Sequence, residues 1–340
     1  PANPEWQGRD RFVLSIGHSS LTLYIQLYLS GYSLTLDDLK AFRTAGSLTP
    51  GHPEYGHTQG VETTTGPLGQ GVANAVGLAM AQKYINADNN DVLAQQRVYC
   101  LAGDGCLQEG ISAEASSLAG HLKLNNLVVI YDDNKISIDG STNLSFTENV
   151  SQRYQSYGWN VIEVAKLSNG DIDVKKLDAA IIAAKSANAP TLIRMQSTIA
   201  WPAPKLQGSA KSHGSALGVD EVKATKVALG LDPDVNFFVD EAALAHARLV
   251  STRGAQIENE WNTQLQAWLA TKSEAAQRYE QCRSEINLDA IDWPTWELGT
   301  KVATRKASGT VLKTLTAHTP LMWGGSADLS ESNGTFVEAG

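Results

Sequence analysis

Hydrophobic and polar positions along the N-terminal part of the chain follow two alternating periods, which predict strands and helices in turn. Buried-strand patterns occupy 97–103, 126–134, 159–164 and 191–198, and helical patterns occupy 21–45, 72–87, 111–124 and 174–187. The first helical stretch is expected to end at Gly46, a plausible capping residue. This alternation predicts an α/β fold with a mainly parallel sheet flanked by helices.

A long segment between the first two helical stretches, 46–71, is rich in glycine, proline and threonine. A loop of this length inside a compact domain is uncommon and usually functional. We therefore expect it to contribute to a binding or catalytic site.

The C-terminal third of the chain has a different pattern. Residues 219–282 are mostly helical and polar, which is typical of a solvated, packed scaffold, and 287–300 resemble a linker. A helix over 301–315 and a strand over 320–325 follow. One helix and one strand cannot bury a core of their own. We therefore expect them to begin a second α/β domain that continues beyond this chain.

Composition and charge narrow the class of protein. The 340 residues are 42% hydrophobic and 19% charged, which is ordinary for a soluble protein with two or three domains. A net charge of −9 argues against a nucleic-acid partner. No apolar run approaches the ~18 residues of a membrane helix. The 3 cysteines show no paired spacing, which favours a reducing, cytoplasmic environment.

Candidate chemistry centres on Asp104, which lies between two glycines at the end of a predicted strand. This aspartate could belong to a plain turn, a metal site or a phosphate site. Asn134 ends the next strand, and open α/β sheets bind ligands at the carboxyl ends of strands. Asp104, Asn134 and the carbonyl of Ile136 could supply oxygens to Mg²⁺. Gly105 would let a backbone N–H approach a phosphate, and the helix starting near Gly110 would add a favourable dipole.

Several ordered motifs carry a resemblance to a known family. The GDG around Asp104, followed about thirty residues later by Asn134, matches the thiamine diphosphate motif. A lone GDG is weak evidence, because such turns are common. The chain also contains, in order, GHPE, TTGPLGQG, GDGCLQEGIS, YDDN, HGSALG, TRKAS and GGSADLSESN. With these motifs it closely resembles the transketolase family over nearly its whole length.

The resemblance implies a thiamine diphosphate-binding fold and the N-terminal portion of a longer chain. Residues 1–285 would form the diphosphate-binding (PP) domain without its N-terminal start, and 286–302 would be a linker. Residues 303–340 would begin a truncated pyrimidine-binding (Pyr) domain. The family's early Gly-His-Pro segment and its activating glutamate would lie outside these 340 residues. We therefore expect the chain to be inactive by itself.

The resemblance also implies which residues bind the cofactor. Asp104, Asn134 and the carbonyl of Ile136 would hold a divalent ion, Mg²⁺ or alternatively Ca²⁺ or Mn²⁺. The residues that would contact thiamine diphosphate are His18, Gly66, Pro67, Leu68, Gly105, Asn134 and His213.

Other matching positions would act on the substrate or lie at a subunit interface. His52 and His213 would be catalytic and would contact the donor sugar. Arg305 and Ser332 would hold the sugar phosphate, because the planar arginine side chain pairs with phosphate oxygens. Glu109 would lie at a homodimer interface close to the cofactor, and Asp328 would lie near the cofactor. The remaining histidines, His57, His121, His246 and His318, are expected to be ordinary surface or core residues.

The implied activity is reversible transfer of a two-carbon ketol unit from a ketose phosphate to an aldose phosphate. The fragment would be carried as a dihydroxyethyl group on thiamine diphosphate, as in the pentose phosphate pathway or Calvin-type sugar rearrangements. The active site would lie at the subunit interface of a cytoplasmic homodimer.

Three alternatives to this activity differ in how well they fit the sequence. Dihydroxyacetone synthase, which uses formaldehyde as acceptor, is the nearest, and Arg305 and Ser332 favour sugar phosphates instead. A non-catalytic subunit with the same fold is disfavoured by the intact pair Asp104 and Asn134. A nicotinamide-dependent dehydrogenase is rejected, because Asn74 stands where the third glycine of G-x-G-x-x-G is required.

Overall fold

The computed structural model describes residues 1–87, 96–283, 285–319, 322–326 and 328–337, except for the side chain of Cys282. The strands in this part of the chain are β1 Arg11–Leu14, β2 Val98–Gly103, β3 Leu127–Asp133, β4 Ile136–Ser137, β5 Gly140–Ser141, β6 Asn160–Val164 and β7 Thr191–Gln196. The helices are α1 Ser20–Ser30, α2 Leu36–Lys40, α3 Gln70–Asn86, α4 Asp104–Gln108, α5 Gly110–His121, α6 Val150–Ser156, α7 Val174–Ala184, α8 Val219–Ala228, α9 Glu241–Leu269, α10 Glu274–Arg283, α11 Thr304–His318 and α12 Ser330–Asn333.

The central sheet has the order β1-β2-β3-β7-β6, and every neighbouring pair in it is parallel. Helices connect the successive strands, as parallel pairing requires. The predicted α/β fold with a mainly parallel sheet is confirmed. The short pair β4 and β5 forms a separate antiparallel hairpin directly after β3.

Side chains alternate between the two faces of the sheet, and each face has its own core. In β3, Leu127, Val129 and Tyr131 belong to the larger hydrophobic cluster, together with residues of α1, α3 and α6. Val128 belongs to a smaller cluster with two alanines of α7, and Ile130 packs against it. A strand buried on both faces reads as a continuous apolar run, which explains the pattern that predicted β3.

The helical stretch predicted over 21–45 is instead two helices, α1 and α2. Gly31 ends α1 in the left-handed conformation at φ 86°, and its backbone N–H caps the helix. Thr35 then starts α2 with a capping box that includes Asp38. Helix α2 ends at Lys40, so the predicted end at Gly46 is wrong. Strand β1, helix α6 and the β4–β5 hairpin were not predicted.

The long loop is present as expected, with no helix or strand between α2 and α3. Helix α1 holds part of it in place. The Ser20 hydroxyl donates to the carbonyl oxygens of Pro50 and Gly51, at 3.2 and 3.0 Å. The Tyr24 hydroxyl donates to the Pro50 carbonyl at 3.0 Å. These bonds fix the segment that leads to His52.

The C-terminal third agrees with the sequence pattern except at the predicted strand. The helices α8, α9, α10 and α11 are present, and the predicted linker contains only a short 3-10 turn at Leu288–Ala290. Residues 322–325 form no strand, and Pro320 and Leu321 lie outside the described residues. No described strand pairs with this segment, so its backbone groups join no ladder.

The described chain divides into two compact units, Pro1–Tyr84 with Leu93–Asn262, and Ile85–Val92 with Thr263–Gly340. The central sheet lies wholly in the first unit. The domain boundaries inferred from the family resemblance stay a prediction.

The cysteines and the lengths of the helices bear on two expectations from the composition. Cys100 and Cys106 are buried and unpaired, and the side chain of Cys282 lies outside the described residues. Among the described helices, none has both the length and the apolar character that crossing a bilayer demands.

We predict opposite stability effects for alanine at two glycines of α3. A Cβ at Gly71 would lie 2.5 Å from the Ser15 Cα, whereas one at Gly77 would meet nothing within 4 Å. Gly71→Ala should therefore destabilise the fold by about 1–3 kcal/mol through overpacking. Gly77→Ala should stabilise it by up to ~1 kcal/mol through helix propensity. Urea unfolding followed by circular dichroism measures both. Equal shifts of the same sign would contradict this packing.

Candidate functional site

The site is built where β1, β2 and β3 end side by side. Parallel pairing sets Gly103, the last residue of β2, opposite Asp132 of β3. Helix α4 then begins at Asp104, with Gly103 as an extended N-cap residue. The carboxyl ends of the two strands are thus level, and the side chains that follow them share one edge of the sheet.

Asp104 is a buried carboxylate, with 4% of its surface exposed. Its Oδ1 accepts a hydrogen bond from the Tyr131 hydroxyl at 2.6 Å, and its Oδ2 accepts one from the Lys135 backbone N–H at 3.1 Å. Desolvation raises the pKa of Asp104, and the nearby Asp133 raises it further, while the bond from Tyr131 lowers it. Within the described residues Asp104 forms no ion pair. A cation bound here would offset the burial of this charge.

Lys135, the residue after Asn134, donates its backbone N–H to the carboxylate of Asp104. The loop that follows β3 therefore brings Asn134 close to Asp104. The Asn134 Oδ1 accepts the Ile136 backbone N–H at 2.9 Å and keeps a second lone pair. Its Nδ2 donates to Asp132 Oδ2 at 3.4 Å. The amide is thereby oriented with its oxygen towards the backbone of Ile136.

Close contacts hold the long loop against the ends of β1 and β2. A Cβ at Gly17, just after β1, would lie 2.7 Å from the Gly66 amide nitrogen. A Cβ at Gly105 would lie 2.7 Å from Leu68 Cδ1. The Thr65 hydroxyl donates to the Leu14 carbonyl at 2.8 Å, which ties the loop to the end of β1. Glycine is required at Gly17 because any side chain would push the loop away from the sheet edge. Pro67, near the end of this loop, is exposed.

Three histidines gather above this edge. The rings of His18 and His213 have centroids 5.1 Å apart, and the buried Nδ1 of His213 has no hydrogen-bond partner among the described residues. His52 lies against Gly66, with its Cδ2 3.6 Å from where a Cβ would stand. Burial lowers the pKa of His18, and the positive potentials of His213, His52 and Arg43 lower it further. Such a group of basic side chains is suited to an anion.

These residues fit a divalent ion and a diphosphate. No group of three or more His, Cys, Asp or Glu side chains suited to a metal ion occurs in the part of the chain that the structure describes. The oxygens expected to bind an ion are the carboxylate of Asp104, the amide oxygen of Asn134 and the carbonyl of Ile136. Mg²⁺ takes few protein ligands of this kind and completes its shell with phosphate oxygens and water. The unpartnered nitrogen of His213 is consistent with a phosphate ligand.

Comparison with known families decides which fold this site belongs to. A family model described as "Transketolase, thiamine diphosphate binding domain" matches residues 1–286. The chain belongs to the transketolase family. The sequence resemblance is thereby confirmed, and the chain carries the thiamine diphosphate-binding domain of that family.

Curated transketolases are similar to the whole of this chain. That of Geobacillus stearothermophilus is 46% identical over 347 residues, covering 100% of this chain and 51% of the relative. That of Mycobacterium tuberculosis H37Rv is 46% identical over 348 residues, covering 99% of this chain and 49% of the relative. The chain therefore spans about half the length of the curated transketolases that it matches.

Solved transketolase structures share the fold. The Campylobacter jejuni transketolase superposes with a TM-score of 0.91 at 42% identity, covering 99% of this chain and 51% of its own. A Pichia stipitis transketolase in complex with sedoheptulose 7-phosphate gives a TM-score of 0.91 at 42% identity, covering 99% of this chain and 50% of its own.

The remaining predicted residues lie at other places in the structure. Glu109, between α4 and α5, is exposed next to Gly69. Arg305, Ser332 and Asp328 belong to the second unit, where all three are exposed. Within that unit Gly334 lies against the backbone of Arg305, which brings α12 to the first turn of α11. The four histidines not assigned to a site, His57, His121, His246 and His318, are all exposed.

Several side chains at the site were missed from the sequence. Tyr131 and Asp133 face the same side of β3 as each other, and Asp133 pairs with Arg194 of β7 at 2.6 Å. The alternation of side chains along β3 could have indicated that Tyr131 and Asp133 share a face. The contacts with Asp104 and Arg194 depend on strand pairing, which no local pattern contains. Arg43, near His18, was also missed.

We predict that His18 makes the stability of the fold depend on pH. Its folded-state pKa lies below that of an unfolded histidine, about 6.5, so the folded state binds protons less readily. Its contribution is fully present above pH ~6.5 and is lost as the pH falls towards the folded-state pKa. His18→Gln should therefore lose less stability than the wild type between pH 7 and 5 in urea unfolding. His121→Gln, at an exposed position, is the control. The same pH dependence in His18→Gln and the wild type would contradict the assignment.

Proposed function

We propose that the full-length protein is a transketolase that moves a two-carbon ketol unit from a ketose phosphate to an aldose phosphate. The cofactors would be thiamine diphosphate and a divalent ion, with Mg²⁺ the first choice. The proposal rests on the family assignment together with the arrangement at the sheet edge. Pichia stipitis transketolases have been solved with xylulose 5-phosphate, fructose 6-phosphate and sedoheptulose 7-phosphate, which supports sugar phosphates as substrates here.

One observation carries the proposal. The buried carboxylate of Asp104 has no cation partner among the described residues, and the loop that carries Asn134 bonds directly to it. A structural aspartate at this depth would be expected to have an ion pair, as Asp133 has with Arg194. A buried carboxylate with an amide oxygen on the adjoining loop is suited to a divalent ion that also binds a diphosphate.

In this proposal the ion is held by Asp104, Asn134 and the carbonyl of Ile136. The backbone near Gly105 approaches the diphosphate, and α4 and α5 start beside it. Gly66, Pro67 and Leu68 pack against the rings of the cofactor. When bound, thiamine diphosphate would stabilise the negative charge that develops on the former carbonyl carbon of the ketose as the adjacent carbon–carbon bond breaks. The protein supplies binding, orientation and proton transfer.

The histidines have separate roles. With its pKa lowered, His18 is neutral at neutral pH and binds phosphate as a hydrogen-bond donor without a full positive charge. The free Nδ1 of His213 is available to a ligand between the diphosphate and the sugar. His52, which is exposed beside Gly66, orients sugar hydroxyls and moves protons. Arg305 and Ser332 hold the sugar phosphate.

A homodimer is the assembly that we propose, with Glu109 at its interface and Asp328 close to the cofactor. Support comes from α5 and its end, where Ile111, Leu118 and Leu122 are 39%, 44% and 40% exposed. Their spacing of seven and four residues places them on one face of the helix. An apolar face next to Glu109 is suited to burial against a second subunit. We place the protein in the cytoplasm, where its free cysteines would remain reduced.

We predict that the full-length protein transfers a two-carbon unit from xylulose 5-phosphate to an aldose phosphate. Transfer should require thiamine diphosphate and a divalent ion and should stop when EDTA removes the ion. Coupled measurement of the released aldose product tests this. No transfer with saturating cofactor and Mg²⁺ would contradict the proposal. Preference for formaldehyde over an aldose phosphate would favour dihydroxyacetone synthase instead.

We predict that Asp104→Ala abolishes Mg²⁺-dependent binding of thiamine diphosphate, because the ion loses its only carboxylate ligand. The circular dichroism spectrum should be unchanged. Titration calorimetry on the full-length protein measures the binding. Asp178→Ala, on the exposed side of α7, removes the same group far from the sheet edge and serves as the control. Equal affinity in Asp104→Ala and Asp178→Ala would refute the site.

A further inference from the structure

We propose that Tyr131 is a positioning residue that fixes the carboxylate of Asp104 for the metal, an inference that rests on the proposed function. The Tyr131 hydroxyl lies 2.6 Å from Asp104 Oδ1 and 3.1 Å from Asp133 Oδ1. Its side chain is fully buried in the larger core, so the ring cannot turn away without repacking that core. The hydroxyl therefore stands at a fixed point between two carboxylates.

A tyrosine hydroxyl has one proton, so it can donate fully to only one of the two carboxylates. Asp133 already receives the Arg194 guanidinium on Oδ2 at 2.6 Å and the Lys135 ammonium on Oδ1 at 2.9 Å. Asp104 has no ion pair among the described residues and lies closer to the hydroxyl. The hydroxyl proton is therefore donated to Asp104. The lone pairs of the Tyr131 oxygen then face Asp133, whose negative charge is neutralised by Arg194 and Lys135.

The strand geometry explains why these groups meet. Tyr131 and Asp133 are two residues apart on β3 and share one face of the sheet, and Arg194 stands opposite Tyr131 on β7. Arg194 is itself held by Glu163 of β6 at 3.2 Å. A connected set of side chains thus runs from β6 through β7 and β3 to Asp104 at the end of β2. It fixes one oxygen of Asp104, and the Lys135 N–H fixes the other.

This connected set of side chains affects which divalent ion the site binds best. Mg²⁺ requires near-ideal octahedral geometry at about 2.0–2.1 Å, whereas Ca²⁺ accepts flexible geometry and longer bonds. A carboxylate that is held at both oxygens suits the stricter ion. Loss of the Tyr131 hydroxyl would free Oδ1 to rotate, and that freedom should weaken binding of Mg²⁺ more than binding of Ca²⁺.

The test uses Tyr131→Phe in the full-length protein. Thiamine diphosphate binding is measured by titration calorimetry as a function of Mg²⁺ and, separately, of Ca²⁺. We expect the Mg²⁺ concentration required for half-maximal binding to rise about 10–100-fold, the usual effect of removing a partner of a metal ligand. The Ca²⁺ requirement should rise by a smaller factor, so the preference for Mg²⁺ over Ca²⁺ falls.

The matched control is Tyr154→Phe. Tyr154 is also buried in the first unit, and its hydroxyl bonds to Ser116 at 3.0 Å, away from the sheet edge. This variant should keep the wild-type requirement for both ions. Thermal unfolding of both variants measures any general loss of stability, which would weaken binding of both ions alike.

The outcomes separate this role from the proposed function. Wild-type binding that depends on Mg²⁺, together with an unchanged Mg²⁺ requirement in Tyr131→Phe, would overturn the positioning role alone. An equal rise for Mg²⁺ and Ca²⁺ would also overturn it, because it would show a general structural effect. No metal-dependent binding by the wild type would remove the proposed function and this role with it.

Discussion

The burial of one carboxylate, Asp104, at the end of a parallel strand is the constraint on which the rest of the site depends. A carboxylate removed from water requires compensation, through hydrogen bonds, a cation or both. The described chain supplies two hydrogen bonds, from Tyr131 and from the Lys135 backbone, and no ion pair. Asp133, two residues beyond Tyr131, has two cations. The contrast between the two aspartates favours Asp104 as the residue that binds a cation.

The parallel sheet makes this arrangement possible. Because β1, β2 and β3 are parallel neighbours, the segments that follow them lie at the same edge of the sheet. Close approach is then permitted by glycines. Gly17 lies against Gly66, and Gly105 lies beneath Leu68. Packing against the chain itself explains the requirement for glycine at these positions. A ligand would explain the buried Nδ1 of His213, which has no hydrogen-bond partner among the described residues.

Much of the fold and part of the site could be predicted from sequence. The apolar runs of β2, β3, β6 and β7 are local signals, and they placed these strands well. The motifs around Asp104 and Asn134 are also local signals, and the binding role of these residues stays a prediction. The break between α1 and α2 was missed because a helical period hides a left-handed glycine at Gly31. The strand expected over 320–325 is absent in residues 322–325. An apolar run forms a strand only where another strand pairs with it, and no described strand pairs with this one. The network behind Asp104 could not be predicted, because contacts between β3 and β7 depend on register.

The most direct test of the metal site is a crystal structure of the full-length protein grown with thiamine diphosphate and Mn²⁺. The account predicts an anomalous peak within coordination distance, about 2.0–2.6 Å, of an oxygen of Asp104 and of Asn134 Oδ1. The same peak should contact the diphosphate. A peak that lies elsewhere, or bound cofactor with no ion at Asp104, would contradict the account.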